Sequence, residues 1–190
     1  MISKMDLSAF IDVLSSSEPT PGGGGASAVT GAMGAALAGM VASLTLKSAK
    51  YSDVHTEMAD IKSQTDKLQM RLLELADEDA AVFAPLAAAY KIPKDEPGRD
   101  ETLEKALVYA CSAPLDIMSA CADALKLFPV LREKGTKMAV SDVDAGEILC
   151  KSAIRTASFN VFINTKLMKD RAKAEETDNL TRKMVEECCC

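Results

Sequence analysis

A long uncharged segment, introduced by two prolines and four glycines, constrains this chain more than any other feature. It begins Pro19-Thr20-Pro21-Gly22-Gly23-Gly24-Gly25 and runs to Leu46 without an acidic or basic side chain. Proline fixes the backbone and glycine frees it, so a stiff entry leads into a helix whose first N–H groups lack partners. That helix end carries partial positive charge and suits an anion or a carbonyl oxygen. A flexible linker is the alternative interpretation of the glycines.

Residues 26–46 are long enough to suggest a transmembrane helix. They consist mostly of Ala, Gly, Ser and Thr, however, and a small-residue helix of this kind is typical of a bundle centre or a subunit interface. The net charge of −6 and the lack of a dense Lys/Arg stripe argue against a nucleic acid or an anionic membrane as partner. We therefore expect one soluble domain over residues 1–190, large enough to bury a core.

The cysteines indicate that the protein belongs to a reducing compartment, and the single histidine gives no indication of a metal site. Cys111, Cys121 and Cys150 lie inside helical patterns and are predicted to be buried thiols, whereas residues 188–190 (Cys-Cys-Cys) are expected to form a frayed tail. His55 has no Cys/His cluster around it, so no metal site is expected. No signal peptide is evident, and together these features predict a cytoplasmic location.

Helical periodicity dominates the sequence and β patterns are nearly absent. The pattern predicts an all-α, up-and-down bundle of five to seven helices with the small-residue helix buried inside it. The first expected helix is capped by Asp6, and the small-residue helix follows it. Further helices are expected over residues 52–90 with a bend at Pro85, and over residues 100–127 with a kink at Pro114. The last two are expected from Ser141 or Asp142 to about residue 170 and over residues 172–187.

Asp79 interrupts the apolar stripe of the third helix, where its neighbours on the stripe are Leu75, Val82 and Leu86. A carboxylate on an apolar face is costly unless it is hydrogen-bonded or kept for chemistry with a raised pKa. A hydrogen bond to a neighbouring helix and a catalytic role both remain open. Asp77 and Glu78 lie off this stripe and are expected to face water.

Two asparagines and a second aspartate mark the long helix near the C-terminus. Asn160 and Asn164 are four residues apart, so both amides project from one face of small residues. They suit the hydrogen-bonding edge of a heterocycle, and equally an inter-helix contact that fixes the register of the bundle. Asp142, at the start of the helix, is by itself an ordinary N-terminal carboxylate.

Taken together, these segments resemble the cyclodeaminase/cyclohydrolase family of folate enzymes. The resemblance rests on the glycine segment with Ala26, on Gly31-Ala32-Met33-Gly34-Ala35-Ala36-Leu37, on Asp79 with Phe83, on Ile92-Pro93-Lys94, on Ser141-Asp142 and on Asn160-Val161 with Asn164. Members often carry Gly-Lys-Lys after the small-residue helix, where this chain has Leu46-Lys47-Ser48-Ala49-Lys50.

The resemblance implies an all-helical homodimer that acts on one-carbon-substituted tetrahydrofolate with no further cofactor. It implies Asp79 and Asp142 as catalytic carboxylates and Asn160 and Asn164 as ligands of the pterin edge. The segment of Pro21, Gly22, Gly23, Gly24 and Gly25 would close over the substrate as a loop. The glutamate tail of the folate, single or extended, would be bound by Lys47, Lys50 or Arg155.

Two reactions fit this reading. A methenyltetrahydrofolate cyclohydrolase opens the ring of 5,10-methenyltetrahydrofolate with water to give 10-formyltetrahydrofolate, and a formiminotetrahydrofolate cyclodeaminase forms the same methenyl compound with loss of ammonia. The cyclohydrolase is favoured because this chain carries no formiminotransferase half. A non-catalytic folate-binding or scaffolding helical dimer is the alternative from another class.

Overall fold

Helices joined by short turns account for nearly all of the chain, and the computed structural model describes residues 1–189. Within that range lie α1 (Leu7–Leu14), α2 (Gly23–Leu46), α3 (His55–Tyr90), α4 (Arg99–Ala110), α5 (Ser112–Leu125), α6 (Phe128–Lys134), α7 (Val140–Thr165) and α8 (Arg171–Cys189). Short 3₁₀ turns cover Ile2–Lys4, Ala49–Val54 and Lys137–Ala139. Six of the helices have 12 or more residues, and the described range contains no strand. The predicted all-α bundle is confirmed.

The small-residue helix α2 packs along α3 on one side and α7 on the other, antiparallel to both. Gly31 faces Leu72 and Gly39 faces Thr65, so the residue numbers of α3 decrease along the contact as those of α2 increase. Across the other contact, a Cβ added at Gly34 would lie 2.5 Å from the Cys150 sulfur and 2.8 Å from the Gly146 carbonyl oxygen. Glycine at these points lets the helices approach more closely than any side chain would allow.

Aliphatic side chains and small residues together form one continuous core. The largest fully buried side chains include Phe128, Met58, Leu72, Leu107 and Ile154, which come from four different helices. They pack against the alanines of α2 and α7, as expected for a chain with few aromatic residues.

Several helix boundaries differ from those predicted. The glycines do not form a loop, because α2 begins at Gly23 with Gly22 as its N-cap. The helix expected over residues 100–127 is two helices that meet at Cys111, and α7 ends at Thr165 rather than near 170. Local sequence signals mark where a turn is favoured but not whether tertiary packing keeps the helix running through it.

The two chain ends are held more firmly than expected. The Asp77 carboxylate accepts hydrogen bonds from the backbone N–H of Ile2 and from the Ser3 hydroxyl at 2.5 Å, so it anchors the N-terminus rather than facing water. Cys188 and Cys189 are helical and half-buried against the core, which corrects the prediction of a frayed tail for both; Cys190 lies outside the described residues. The Cys189 thiol lies 3.5 Å from the Lys151 carbonyl oxygen.

By length and composition alone, α2 could cross a membrane. It has 24 residues, and half of its most apolar window is buried by the rest of the bundle. The core helix of a soluble bundle passes the same test, and the contacts of α2 with α3 and α7 account for its buried side.

Candidate active site

A cavity of about 140 Å³ lies where the N-terminus of α2 meets the C-terminal thirds of α3 and α7. Its polar lining consists of the first-turn backbone of α2, the Asp79 carboxylate and the amides of Asn160 and Asn164. The remaining lining residues are Pro19, Thr20, Val82, Phe83, Ala110, Pro114 and Ile163. Because small-molecule sites usually measure about 300 Å³ or more, this cavity has room for one ring system of a ligand rather than a whole folate.

Among the residues that the structure describes, Asp79 is the only ionisable side chain that lines the cavity. Within residues 1–189 no cation forms an ion pair with it and no side chain donates a hydrogen bond to it. Burial raises the pKa of this carboxyl above its ordinary value, and the backbone N–H of Gly25 partly opposes that rise. A carboxyl with a raised pKa can both accept and return a proton near neutral pH.

The first turn of α2 holds the Asp79 carboxylate against the helix end. A Cβ at Gly24 would collide with that carboxylate, so only glycine leaves room for it there. Gly22, the N-cap, has no side chain to satisfy the first-turn N–H groups, and the partial positive charge of the helix end faces the cavity instead. The peptide bond between Thr20 and Pro21 is cis, and Pro21 packs against Gly25.

The two asparagines project into the same cavity from successive turns of α7. The Asn160 amide nitrogen donates to the Thr156 carbonyl oxygen of its own helix at 3.2 Å, and its side chain lies beside Gly23. Asn164 is buried next to Cys111, whose thiol donates to the Val161 carbonyl oxygen at 4.0 Å and whose pKa burial raises to about 11. Cys111 is therefore a neutral thiol near pH 7, and the Asn164 amide keeps hydrogen-bonding capacity toward the cavity.

The structure brings together one group of the predicted site residues: Gly22, Gly23, Gly24, Asp79, Asn160 and Asn164 all line the cavity. Pro21 and Gly25 lie directly behind this lining and contact each other.

The other predicted site residues lie elsewhere. Asp142 sits in the first turn of α7, roughly 27 Å along the helix from Asn160. Lys47 and Lys50 follow the far end of α2, with Lys47 roughly 36 Å from Gly23. Arg155 points away from the cavity and donates to the Cys189 carbonyl oxygen at 3.0 Å. Within one subunit, none of these four residues reaches the Asp79 cavity.

The sequence drew attention to Val82 and Phe83 beside Asp79 but assigned neither of them, nor any other apolar residue, to the wall of a cavity. Val82 and Phe83 follow Asp79 by three and four residues and so share its face of α3. Ile163 lies between the two asparagines, and helical spacing could have identified all three residues. Ala110 and Pro114 belong to the junction of α4 and α5, which no sequence signal connects to Asp79.

Among the described residues, no group of three or more His, Cys, Asp or Glu side chains is placed to hold a metal ion. The cavity offers one titratable carboxyl, two amides and a set of helix-end N–H groups. This combination suits proton transfer on a flat, nitrogen-rich ring, with the amides fixing the ring edge and the carboxyl facing the reacting atom.

Comparison with known proteins identifies a matching family and several similar proteins. The family model described as formiminotransferase-cyclodeaminase matches residues 6–183. The methenyltetrahydrofolate cyclohydrolase of Methylorubrum extorquens is 35% identical over 174 residues, which cover 90% of this chain and 84% of that protein. The formimidoyltransferase-cyclodeaminase of Rattus norvegicus is 29% identical over 185 residues, and there the match spans only 34% of the longer protein.

A solved structure extends the likeness to three dimensions. The crystal structure of formiminotetrahydrofolate cyclodeaminase from Thermotoga maritima superposes with a TM-score of 0.86 at 32% identity, covering 99% of this chain and 93% of that one. The extent of the family match, the identity to the cyclohydrolase and the shared fold lead to one conclusion: this chain belongs to the formiminotransferase-cyclodeaminase family.

Proposed function

We propose that this protein is a methenyltetrahydrofolate cyclohydrolase that converts 5,10-methenyltetrahydrofolate and water to 10-formyltetrahydrofolate. The observation that carries the proposal is the partly buried Asp79 carboxyl, which pairs with no cation among residues 1–189 and lies beside two amides in a cavity with room for one ring system. The similarity to a cyclohydrolase over 84% of that protein's length supports the same reaction. No cofactor beyond the folate substrate is required.

The first step is the addition of water to the cationic carbon that joins N5 and N10. The water oxygen forms a bond to this carbon while the Asp79 carboxylate accepts one of its protons. The cation of the substrate becomes neutral and Asp79 becomes a carboxylic acid, so charge is conserved within the site. Asp79 lowers the barrier for this step as a general base, because it takes the proton while positive charge develops on the attacking water oxygen. Its attraction to the cationic substrate holds the reacting carbon close to the carboxylate.

The second step opens the ring. The bond between the carbon and N5 breaks with its electron pair on N5, and the protonated Asp79 returns its proton to N5. The hydroxyl proton leaves to solvent as the formyl C=O forms on N10, so one water is consumed and one proton is released. The raised pKa of Asp79 suits both roles, since the protonated form must persist long enough to act as an acid.

Asn160 and Asn164 are proposed to hold the pterin. Each amide has a donor and an acceptor, which match the alternating donors and acceptors of the heterocycle edge. The first turn of α2 lies across the cavity from them and would present its N–H groups to a substrate oxygen.

A cyclodeaminase is the second candidate, supported by the solved relative of that name at 32% identity. In that reaction N10 attacks the formimino carbon, the same carboxyl would give a proton to the departing nitrogen, and ammonia leaves. Both reactions pass through the same cyclic carbon centre, so the geometry of Asp79 serves either one.

A spectroscopic assay of the methenyl chromophore separates these functions. Its loss from 5,10-methenyltetrahydrofolate above the uncatalysed rate is expected for a cyclohydrolase, whereas its appearance from formiminotetrahydrofolate indicates a cyclodeaminase. No change with either substrate, together with folate binding by calorimetry, would leave a non-catalytic folate-binding protein.

Two variants on neighbouring positions of α3 test the role of Asp79. Asp79→Asn removes the titrating group and should lower kcat by at least about 100-fold, with only a modest loss of ligand binding. Glu78→Gln is the matched control because Glu78 forms a half-exposed ion pair with Arg71, and its kcat should stay within about twofold of wild type. A wild-type kcat in Asp79→Asn would remove Asp79 from the mechanism.

We further propose that the protein works in the cytoplasm as a homodimer. Cys111, Cys121, Cys150, Cys188 and Cys189 are all unpaired thiols, in keeping with a reducing compartment. Size-exclusion chromatography with light scattering would measure the mass of the assembly.

A further inference from the structure

One pair of hydroxyl groups stands out in the contact between α2 and α7. Small residues make up most of this contact, as where Gly34 faces Cys150, and they touch mainly through van der Waals packing. The oxygens of the Ser27 and Thr156 side chains, by contrast, are 2.8 Å apart. Within residues 1–189 this is the one hydrogen bond between a side chain of α2 and a side chain of α7.

Each of these hydroxyls also approaches a carbonyl oxygen of its own helix. The Ser27 oxygen lies 2.6 Å from the Gly23 carbonyl oxygen, and the Thr156 oxygen lies 2.9 Å from the Ser152 carbonyl oxygen. Because each hydroxyl has a single proton, two arrangements are open. If Ser27 donates to Gly23, Thr156 donates to Ser27. If Thr156 donates to Ser152, Ser27 donates to Thr156. In both arrangements one hydrogen bond joins the two helices.

The pair connects two polar walls of the Asp79 cavity. Gly23, whose carbonyl oxygen lies next to the Ser27 hydroxyl, lines the cavity from the first turn of α2. Asn160 lines it from α7 and donates its amide N–H to the Thr156 carbonyl oxygen at 3.2 Å. The two walls touch each other as well, since a Cβ at Gly23 would lie 3.4 Å from the Asn160 amide nitrogen.

The bond to Thr156 also orients the Asn160 amide. Its nitrogen is turned toward the backbone of α7, and its Oδ1 accepts no hydrogen bond from the residues that the structure describes. An amide oxygen that is free on a cavity wall can accept a hydrogen bond from a ring N–H or an amino group. The position of Thr156 therefore decides where this acceptor lies in the cavity.

We propose that Ser27 and Thr156, here called the hydroxyl brace, are positioning residues that hold the Asn160 amide at a fixed distance from the first turn of α2. A hydrogen bond depends steeply on distance and angle, so this bond restricts a sliding of the two helices that contacts between small residues permit. The substrate that Asn160 would bind rests on the proposed folate function, whereas the brace itself does not.

Substitution of Thr156 separates binding from chemistry. Thr156→Val removes the hydroxyl, and because Thr156 is exposed on its outer side the fold should stay intact. KM for 5,10-methenyltetrahydrofolate should rise about fivefold while kcat stays within about twofold, since Asp79 lies on another helix. Thr156→Ser keeps the hydroxyl and should retain the wild-type KM. A wild-type KM in Thr156→Val would overturn the brace.

Ser27→Ala breaks the same hydrogen bond from the other helix and should raise KM by a similar factor. Ser43→Ala is the matched control, because the Ser43 hydroxyl on α2 donates only to the Gly39 carbonyl oxygen of its own helix at 2.8 Å. Its KM should equal that of wild type. If Ser43→Ala raised KM as much as Ser27→Ala, the loss of any hydroxyl from α2 would explain the effect and the brace would be refuted.

A double-mutant cycle tests whether the brace acts through Asn160. In an Asn160→Ala background, Thr156→Val should raise KM by less than about twofold, because the amide that the brace positions is already gone. A full fivefold increase in this background would show that Thr156 acts independently of Asn160, and the proposal would fail.

NMR reports on the brace without any folate. The chain has three Asn and two Gln residues, so its side-chain amide signals are few, and the Asn160 signal is the one that Asn160→Ala removes. This signal should shift in Thr156→Val and Ser27→Ala and stay in place in Ser43→Ala. A signal that does not move in the first two variants would contradict the brace.

The outcomes distinguish the brace from the proposed function. A shifted Asn160 signal in a protein that neither turns over nor binds folate would refute the folate function and leave the brace standing. Wild-type turnover with an unchanged KM in both Ser27→Ala and Thr156→Val would refute the brace and leave the enzyme activity standing.

Discussion

At the scale of single residues, the position of Gly24 and the chemistry of Asp79 depend on each other. The carboxylate occupies the space that a Cβ at residue 24 would need, and Gly22, the N-cap of α2, has no side chain of its own to cap the helix. Helix N-termini are normally satisfied by a Ser, Thr, Asn or Asp at the N-cap. Here the Asp79 carboxylate, which belongs to α3, lies where an N-cap side chain would normally lie. The first turn of α2 therefore stays open to the cavity.

The raised pKa of Asp79 predicts a trade-off between stability and activity. Because burial raises the pKa, the folded state holds its proton to higher pH than the unfolded state does, and stability falls as pH rises through the folded pKa. Asp79→Asn lacks this ionisation, so it should unfold a few degrees above wild type at about pH 7.5, and the gap should close toward about pH 4. Calorimetry across this range measures it. A variant less stable than wild type at pH 7.5 would contradict the effect of burial.

Asn164 is predicted to contribute to substrate binding rather than to proton transfer. Asn164→Ala removes a buried amide that faces the cavity, and KM should rise by about tenfold while kcat changes little. Ser158→Ala is the matched control, because the Ser158 hydroxyl donates only to the Arg155 carbonyl oxygen of its own helix at 2.7 Å. An unchanged KM in Asn164→Ala would return Asn164 to a structural role through its contact with Cys111.

Sequence patterns such as helical periodicity act within a single helix, and this short range limits how much of the site could be predicted. Asp79, Asn160 and Asn164 stand out in the sequence because each interrupts the apolar or small-residue face of its own helix. Periodicity does not report which end of one helix meets which end of another. Only the family resemblance pairs Asp142 with Asp79, and within one subunit the two lie at opposite ends of the bundle.

At the scale of elements, α2 combines two requirements that one helix seldom meets. Its inner face needs glycine and alanine so that α3 and α7 can approach, and its outer face carries Met and Leu. The apolar character all round the helix correctly predicted a buried or interfacial element. The glycine run was misjudged as a loop, because four glycines have low helix propensity and only tertiary packing keeps Gly23, Gly24 and Gly25 helical.

The close contact of α2 with α7 predicts that Gly34 cannot be enlarged. Alanine normally stabilises a helix relative to glycine by about 1 kcal/mol, but here its Cβ would meet the Cys150 sulfur and the Gly146 carbonyl oxygen. We expect Gly34→Ala to destabilise the fold by about 1–3 kcal/mol, measured by urea unfolding.

A double variant isolates the cause of this destabilisation. Cys150→Ala in the Gly34→Ala background removes the sulfur but leaves the carbonyl oxygen, so it should restore part of the lost stability. A Gly34→Ala variant as stable as wild type would mean that α2 and α7 can separate at little cost.

At the scale of the whole molecule, the sequence indicated a bundle and the family resemblance implied a pair of bundles, but no sequence pattern placed the contact between them. The predicted cationic residues Lys47 and Lys50 make sense as ligands only if a second subunit carries them to the cavity. An apolar stripe on the outer face of α2 is a surface through which such a homodimer could form. The stripe contains Met33, Leu37, Met40 and Leu44 and is called the α2 seam.

If the α2 seam holds two subunits together, stability must depend on protein concentration. The wild-type Tm should rise as concentration increases, because only the folded dimer benefits from association. Met40→Glu places a charge in the middle of the seam, so the variant should be a helical monomer with a lower, concentration-independent Tm. Its KM for a glutamate-bearing folate should rise, since Lys47 of the partner subunit is lost.

Met70→Glu provides the comparison for this last prediction. It adds the same charge to an exposed methionine on α3, away from the seam, and should leave mass, Tm and KM close to wild type. Light scattering, circular dichroism and steady-state kinetics on both variants read out the three properties together. A Met40→Glu protein that remains a dimer with an unchanged KM would place the subunit contact on another face, and Lys47 would then have no route to the Asp79 cavity.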